Sequence, residues 1–365
     1  MGLSTEAAPA VGRQAVPEGF TGLLDGLRAR LDRELEALLA AKREEAADGD
    51  SPEMLELIDG IAELATEGGK RLRPALVFYS YKACGGQEDD QALRLALATE
   101  LLHTYLLIHD DIMDHAEVRR GRPAAHARFR EAHRANRFLG DPSHFGQSVA
   151  ILLGDLAHTW AVELAAGSGT AHAFAAMSQE VIGGQYLEIL VAQRRAASEE
   201  ELLRVLRLKS GRYTAERPIQ LGGLLAGAPA SVLDGLTRYG AAVGEAFQLQ
   251  DDLLGMFGDP GTVGKPVDAD LKEGKYTFLI HHALEAADPG QRRLLESALG
   301  NPDLDPADVP RVLAVLEATG ARARVTAMVA ERMHTAREAL SGLALEPEGR
   351  LFLEGLIDSL WGRER

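Results

Sequence analysis

Two groups of aspartates carry most of the chemistry that this sequence offers. In Glu100–Pro123, ELLHTYLLIHDDIMDHAEVRRGRP, Asp110 and Asp114 stand four residues apart and share a helix face, with Asp111 about 100° round. Leu101 to Ile108 ahead of them are mostly apolar, which predicts a helix deep in the core. Three like charges at the end of such a helix destabilise it unless a cation compensates. A solvated helix end is the plain reading of an acidic cluster. Carboxylates projecting from a buried helix are better explained by a hard divalent metal, which prefers oxygen ligands. A second cluster, GEAFQLQDDLLGMFGD, again ends an apolar helical run with Asp251 and Asp252. If the two helices face each other, their carboxylates form two walls of one site. With two or three Mg²⁺ between them, the walls become a receptor for diphosphate.

Basic residues complete the pattern. Gly68-Gly69-Lys70-Arg71-Leu72-Arg73-Pro74 is a glycine turn carrying three cations into a helix start, where backbone N–H groups also favour phosphate. Arg119 and Arg120 follow the first acidic cluster, and Lys209, Lys265 and Lys275 flank the second half. Arginine offers a bidentate fork and lysine a compact charge. Their placement predicts two anionic groups, one held through metal and the other directly.

The elements that must position these residues read as helices. Amphipathic periodicity covers Thr21–Ala47, Ser51–Thr66, Pro74–Ala83, Gln91–Asp114, Gly146–Ala166, Ala171–Arg194, Glu199–Leu208, Ala230–Phe257, Thr277–Ala286, Pro310–Ser341 and Gly349–Trp361. No series of alternating β-branched segments appears. The expected fold is all-α: an arm over residues 1–18, rich in Ala, Pro and Gly, and one helical domain over 19–365. Three stretches read as irregular: Glu67–Pro74, Arg137–Phe145 and Gly258–Lys275. The last has the composition of a mobile lid and equally that of a surface loop.

Composition narrows the function classes. With 39 basic and 55 acidic side chains the net charge is −16, which argues against a general nucleic-acid binder. Cys84 is the sole cysteine, so an internal disulfide framework and a cysteine-based zinc site are excluded. The opening residues lack a basic start and an apolar core, and the apolar segment from Ile151 is broken by Asp155, His158 and Glu163. A cytoplasmic protein without a transmembrane segment is expected.

GGKRLRP, DDIMD followed by RRGRP, KSGRYT, FQLQDD and GKPVDADLKEGKYT occur in the order and spacing of the trans-isoprenyl diphosphate synthases. Over Leu55 to Lys275 the chain resembles that polyprenyl synthetase family, nearest its short-chain geranylgeranyl or farnesyl type. The resemblance implies a helical bundle of the isoprenoid synthase type around a central cavity, a homodimer, and Mg²⁺-dependent head-to-tail condensation of an allylic diphosphate with isopentenyl diphosphate. By motif matching it implies that Asp110, Asp114 and Asp251 bind Mg²⁺. Lys70, Arg73, His103 and Arg120 would hold isopentenyl diphosphate. Arg119, Lys209, Ser210, Gln248, Lys265 and Lys275 would contact the allylic diphosphate, and Lys209, Ser210 and Gln248 would lie nearest the developing cation. Taken alone, His103 reads as a core histidine and Gln248 as a partner for a neighbouring helix.

The chain departs from the family pattern in places. Gly255 stands where a third aspartate is common, Ser210 where threonine is frequent, Glu188 where aspartate is usual, and Asp268 where glycine is common. None of these removes a carboxylate of the first cluster. Tyr105 lies five positions before Asp110, where the resemblance associates bulk with short products, and Leu106 lies one turn (about 6 Å) back on the Asp110 face. A C20 product is expected first and C15 second. Among rival readings, a helical metal-dependent phosphohydrolase would use His109-Asp110 with His103, His126 and His133. A class I terpene cyclase would need an Asn/Ser/Glu motif after Phe247, which is not found. A non-catalytic partner subunit would have eroded ligands, whereas these are present.

Overall fold

The computed structural model describes residues 18–49, 51–66, 68–258 and 269–361. The expected N-terminal arm, apart from Glu18, and the greater part of the expected lid, with Lys265 and Asp268, lie outside the described residues.

Helical periodicity translates into helices α1 (Glu18–Asp48), α2 (Met54–Thr66), α3 (Leu72–Ala83) and α4 (Asp89–Met113). A two-residue hairpin, β1 (Val118–Arg119) against β2 (Arg122–Pro123), leads into α5 (Ala125–Ala135), α6 (Pro142–Ala166) and α7 (Ala171–Arg194). Helix α8 (Glu199–Val205) runs without a break through a π-helix (Leu206–Glu216) into α9 (Arg217–Leu225), and α10 (Ala230–Phe257) follows. The remainder is α11 (Ala269–Glu273), α12 (Phe278–Ala286), α13 (Pro289–Ala298), α14 (Val309–Ala318), α15 (Ala321–Leu340) and α16 (Pro347–Trp361). The fold is all-α.

Two helices form its centre. Helix α4 lies against α6 and α3, and buries Leu95, Leu101, Leu102 and Ile108. Helix α10 lies between α15 and the π-helix, and buries Leu236, Tyr239 and Leu249. Each therefore ends its apolar run at the aspartates, as the hydrophobic pattern requires. Helix α16 closes the base, with Phe352 stacked on Tyr79 at 4.2 Å between ring centroids.

The π-helix occupies the place where sequence reading expected Glu199–Leu208 to end as an ordinary helix. Its wide turn is wedged between two glycines of neighbouring helices. A Cβ on Gly184 of α7 would stand 2.3 Å from the Lys209 nitrogen, and one on Gly244 of α10 2.2 Å from the Gly211 carbonyl oxygen. Only glycine allows these backbones to approach so closely. The stretch predicted as one helix over Pro310–Ser341 is two, because Gly320 adopts φ 76° and ends α14 before α15 begins.

Arg71 corrects the reading of the glycine turn. It sits in the left-handed region at φ 51°, and its guanidinium is buried rather than offered to phosphate. It donates to Glu100 Oε1 at 2.5 Å, to Asp32 Oδ1 at 3.0 Å and to the Ala65 carbonyl at 2.7 Å. One side chain thus ties α1, α2 and α4 to the start of α3. Its charge is matched by Glu100 on the buried helix, a pairing whose loss leaves an uncompensated carboxylate.

Gly244→Ala is expected to lower the unfolding free energy by about 1–3 kcal/mol, the usual cost of overpacking. Gly26→Ala, at an exposed position of α1 with nothing within 4 Å of the new methyl, should raise it slightly. Urea denaturation of the two variants reads the opposite signs directly.

Candidate active site

A cavity of about 820 Å³ opens between α4, α7, the π-helix, α10 and α11. It lies towards the upper end of the roughly 300–1,000 Å³ range of small-molecule sites. Asp110, Asp251, Asp252 and Asp270 all line it, so the two aspartate clusters meet in one place. Asp114 joins them through Lys275, whose Nζ lies 3.7 Å from Asp114 Oδ2 and 3.4 Å from Asp270 Oδ1. Lys209 Nζ lies 3.7 Å from Asp110 Oδ1 and also pairs with Glu188. Asp111 faces elsewhere: it is buried and accepts from Arg119 Nε at 2.8 Å.

The carboxylates feel one another. Burial, with Asp110 and Glu273 close by, lifts Asp114 to about 6 despite Lys275 and Lys209. Burial also drives Asp252 well above the carboxylate range, with Asp270 and Asp251 adding to it and the Gln248 hydrogen bond opposing. Burial works against the charged form of Lys275, yet Asp270, Asp114 and Glu273 hold it well above the usual lysine value. A pocket of this kind is over-supplied with anionic oxygen, and its donor set suits a hard divalent cation.

Most of the matched residues come together here. Lys209 and Ser210 on the π-helix, with Arg73, His103, Arg119, Arg120, Gln248 and Lys275, line the cavity. Gln248 Nε2 donates to Asp252 Oδ1 at 2.7 Å, one turn along α10. Arg73 donates to Thr214 Oγ1 at 3.0 Å. Lys70 is exposed on the glycine turn and is not among the lining residues. Lys265 belongs to the undescribed stretch.

Apolar side chains also line it, Leu107, Val181, Ile182, Leu206 and Phe247 among them. Tyr105 and Leu106 line the same space further back along α4. The Tyr105 ring is wedged between His109 and His158, with centroids 4.6 and 4.8 Å away. His109 thereby turns to α6, where Nε2 lies 3.1 Å from the Ile151 carbonyl oxygen. His133 turns to the Leu139 carbonyl oxygen at 3.2 Å. His103 and His109 line the cavity with Asp110, whereas His126 and His133 are not among its lining residues, so the histidine set that a phosphohydrolase would need is split.

Some site residues escaped sequence reading. Asp270 appeared only inside the GKPVDADLKEGKYT string, yet its carboxylate fills the space beside Gly255. A Cβ on Gly255 would stand 2.8 Å from Asp270 Oδ2. The missing third aspartate of α10 therefore has a neighbour from α11 in its place. Tyr213 and Thr214, inside KSGRYT, had no assigned part. The signal was present in their spacing from Lys209, since residues i, i+1, i+4 and i+5 of a helix share one face.

A family model described as polyprenyl synthetase matches residues 55–316. The chain is 33% identical over 315 residues to a short chain isoprenyl diphosphate synthase of Methanothermobacter thermautotrophicus, covering 84% of this chain and 90% of that one. It is also 33% identical over 303 residues to a nonaprenyl diphosphate synthase of Mycobacterium tuberculosis, covering 82% and 84%. Among solved structures it is similar to a geranylgeranyl pyrophosphate synthase from Corynebacterium glutamicum complexed with isoprenyl diphosphate and magnesium. That match has a TM-score of 0.86, 33% identity, and coverage of 94% of this chain and 99% of that one.

The two neighbouring aspartates are expected to separate cleanly on substitution. Asp110→Asn should weaken divalent-cation binding, read by titration calorimetry, without lowering thermal stability, since it removes like-charge repulsion. Asp111→Asn should cost about 3 kcal/mol of unfolding free energy, because it strands the Arg119 charge in a largely buried position.

Proposed function

The chain belongs to the polyprenyl synthetase family and is a prenyltransferase, and from that premise we propose the reaction of its cavity. An allylic diphosphate condenses head-to-tail with isopentenyl diphosphate to give a short all-trans prenyl diphosphate, geranylgeranyl diphosphate (C20) first and the C15 product as the second reading. The observation that carries this is the juxtaposition of a carboxylate and lysine wall with an apolar wall in one cavity.

Asp110, Asp114 and Asp251 would hold two or three Mg²⁺, with Asp270 beside them. When bound, the ions act as Lewis acids on the allylic diphosphate and offset the charge that develops as its C–O bond breaks. Lys209, Lys275 and Arg119 bind the same diphosphate directly, and their fixed positive charge favours its departure. Arg73, His103 and Arg120 hold the second diphosphate, so that the isopentenyl double bond meets the allylic carbon. Ser210 and Gln248 offer oxygens near the carbon that becomes cationic. Apolar side chains such as Phe247 and Leu206 keep water from that carbon until the new bond forms. The released diphosphate serves as the acceptor of the final proton, since among the described residues no side chain in the cavity is placed as a dedicated base.

Tyr105 and Leu106 form the floor on which a growing chain stops. Wedging of the Tyr105 ring between two histidines makes it a firm stop, and its size supports a short product. A second copy of the chain would cover the exposed Ile151, Leu152 and Val162 of α6. That helix is long and apolar enough by composition to cross a membrane, but Asp155, His158 and Glu163 interrupt it, as the sequence reading noted. A homodimer in the cytoplasm is the setting that this reading implies.

With Mg²⁺, labelled isopentenyl diphosphate and allylic starters of increasing length, the purified protein should yield mainly C20 on chromatography. Chelation of the metal should abolish turnover, and Asp114→Ala should reduce it by at least about 100-fold. Tyr105→Ala should shift the products to longer chains; an unchanged product profile would remove Tyr105 from the floor.

A further inference from the structure

Tyr213 lies on the π-helix with its hydroxyl oxygen 2.5 Å from His103 Nδ1 on α4. Its ring is buried, and the Arg73 guanidinium sits over it at 4.3 Å from the centroid. His103 is surrounded by cations: burial first, then Arg73, Arg120, Arg119 and Arg71, drive it well below the ordinary histidine range. A neutral imidazole has one donor nitrogen and one acceptor nitrogen, and a phenol has a single proton to give. Among the described residues no other acceptor bonds to the Tyr213 hydroxyl. The buried O–H is therefore satisfied only by donating to Nδ1, and a cation over the ring strengthens it as a donor. That choice places the imidazole proton on Nε2, which bonds to no described protein group while the ring lines the cavity.

We propose that Tyr213 is a positioning residue that locks His103 in the Nε2–H tautomer, so that a neutral histidine among arginines donates to a diphosphate oxygen. The inference rests on the reading of Arg73, His103 and Arg120 as the isopentenyl diphosphate subsite, and adds to it a device that none of those residues contains. The opposite tautomer would aim a lone pair at an anion. A protonated ring would donate from either nitrogen, but the four arginines oppose it. Fixing the proton by a neutral hydrogen bond gives the subsite a donor whose orientation does not depend on its own charge.

The test combines a readout without turnover and one with it. In wild-type protein with ring-¹⁵N-labelled histidine, long-range ¹H–¹⁵N correlation should show His103 as the Nε2–H form. Tyr213→Phe should shift that signal towards a mixture of tautomers. In steady-state assays Tyr213→Phe should raise KM for isopentenyl diphosphate about tenfold, the scale of one hydrogen bond to a charged group. KM for the allylic diphosphate and kcat should stay close to wild type. In a His103→Gln background, where the amide supplies its own donor, Tyr213→Phe should have no further effect on that KM. An unchanged tautomer in Tyr213→Phe, or the same KM penalty in both backgrounds, would overturn the lock. Failure of the wild-type protein to turn over isopentenyl diphosphate would instead overturn the subsite reading, leaving the spectroscopic result to stand alone.

Discussion

Like charge confined in a helical bundle is the constraint from which the rest of this structure follows. Two unit charges about 4 Å apart interact by about 4 kcal/mol at an effective dielectric near 20, so several carboxylates around one cavity are expensive without cations. Lys209 and Lys275 meet that need in the protein itself, each spanning carboxylates from different elements. Burial first, and the neighbouring carboxylates after it, still displace Asp114 and Asp252 upward. The residual excess of negative charge is the physical basis of a divalent-cation site. A fold selected for stability alone would have paired these groups fully, as it pairs Arg71 with Glu100 and Asp32.

Holding such a site open calls for rigid supports, and the chain supplies them with close backbone packing. The π-helix presents Lys209, Ser210, Tyr213 and Thr214 to one cavity. It is kept in place by glycines at 184 and 244, against which any side chain would collide. Arg71 does the corresponding work beneath α4. Its buried ion pairs fix the helix that presents Asp110 and Asp114, at the cost of removing one cation from the phosphate-facing turn. Precision at the site is thus obtained from backbone contact on one side and buried charge on the other.

The long helices were legible because amphipathic period and core burial are local properties: Ala171–Arg194 and Ala230–Phe257 appear with the bounds that periodicity gives. Short α5, α9, α11 and α13 were not read, since eleven, nine, five and ten residues carry few turns of pattern. For α13 the Asp288 capping box with Pro289 and Gln291 was a signal that went unused. The meeting of Asp110 with Asp251 was foreseen from chemical need. The pairing of Arg71 with Glu100 was not, because a basic turn and a buried acid become partners only through tertiary packing. The same holds for the π-helix, which packs against glycines of two other helices far off in the sequence.

Neutrality matters in this pocket as much as charge. Arg71, Arg73, Arg119 and Arg120 all bear on His103, and a fifth positive charge among them would be opposed by each. A lysine at that position would carry such a charge or lose its proton. An asparagine would lack the reach of the imidazole. Histidine alone among the neutral donors is long, planar and able to have its proton assigned by a neighbour. Where aspartates crowd, the protein uses lysine to temper repulsion; where arginines crowd, it uses a histidine that is kept uncharged. Both arrangements leave the cavity with unmet electrostatic demand of opposite sign at its two ends of function, metal on one side and anion on the other. A ligand that brings diphosphate together with magnesium answers both demands at once.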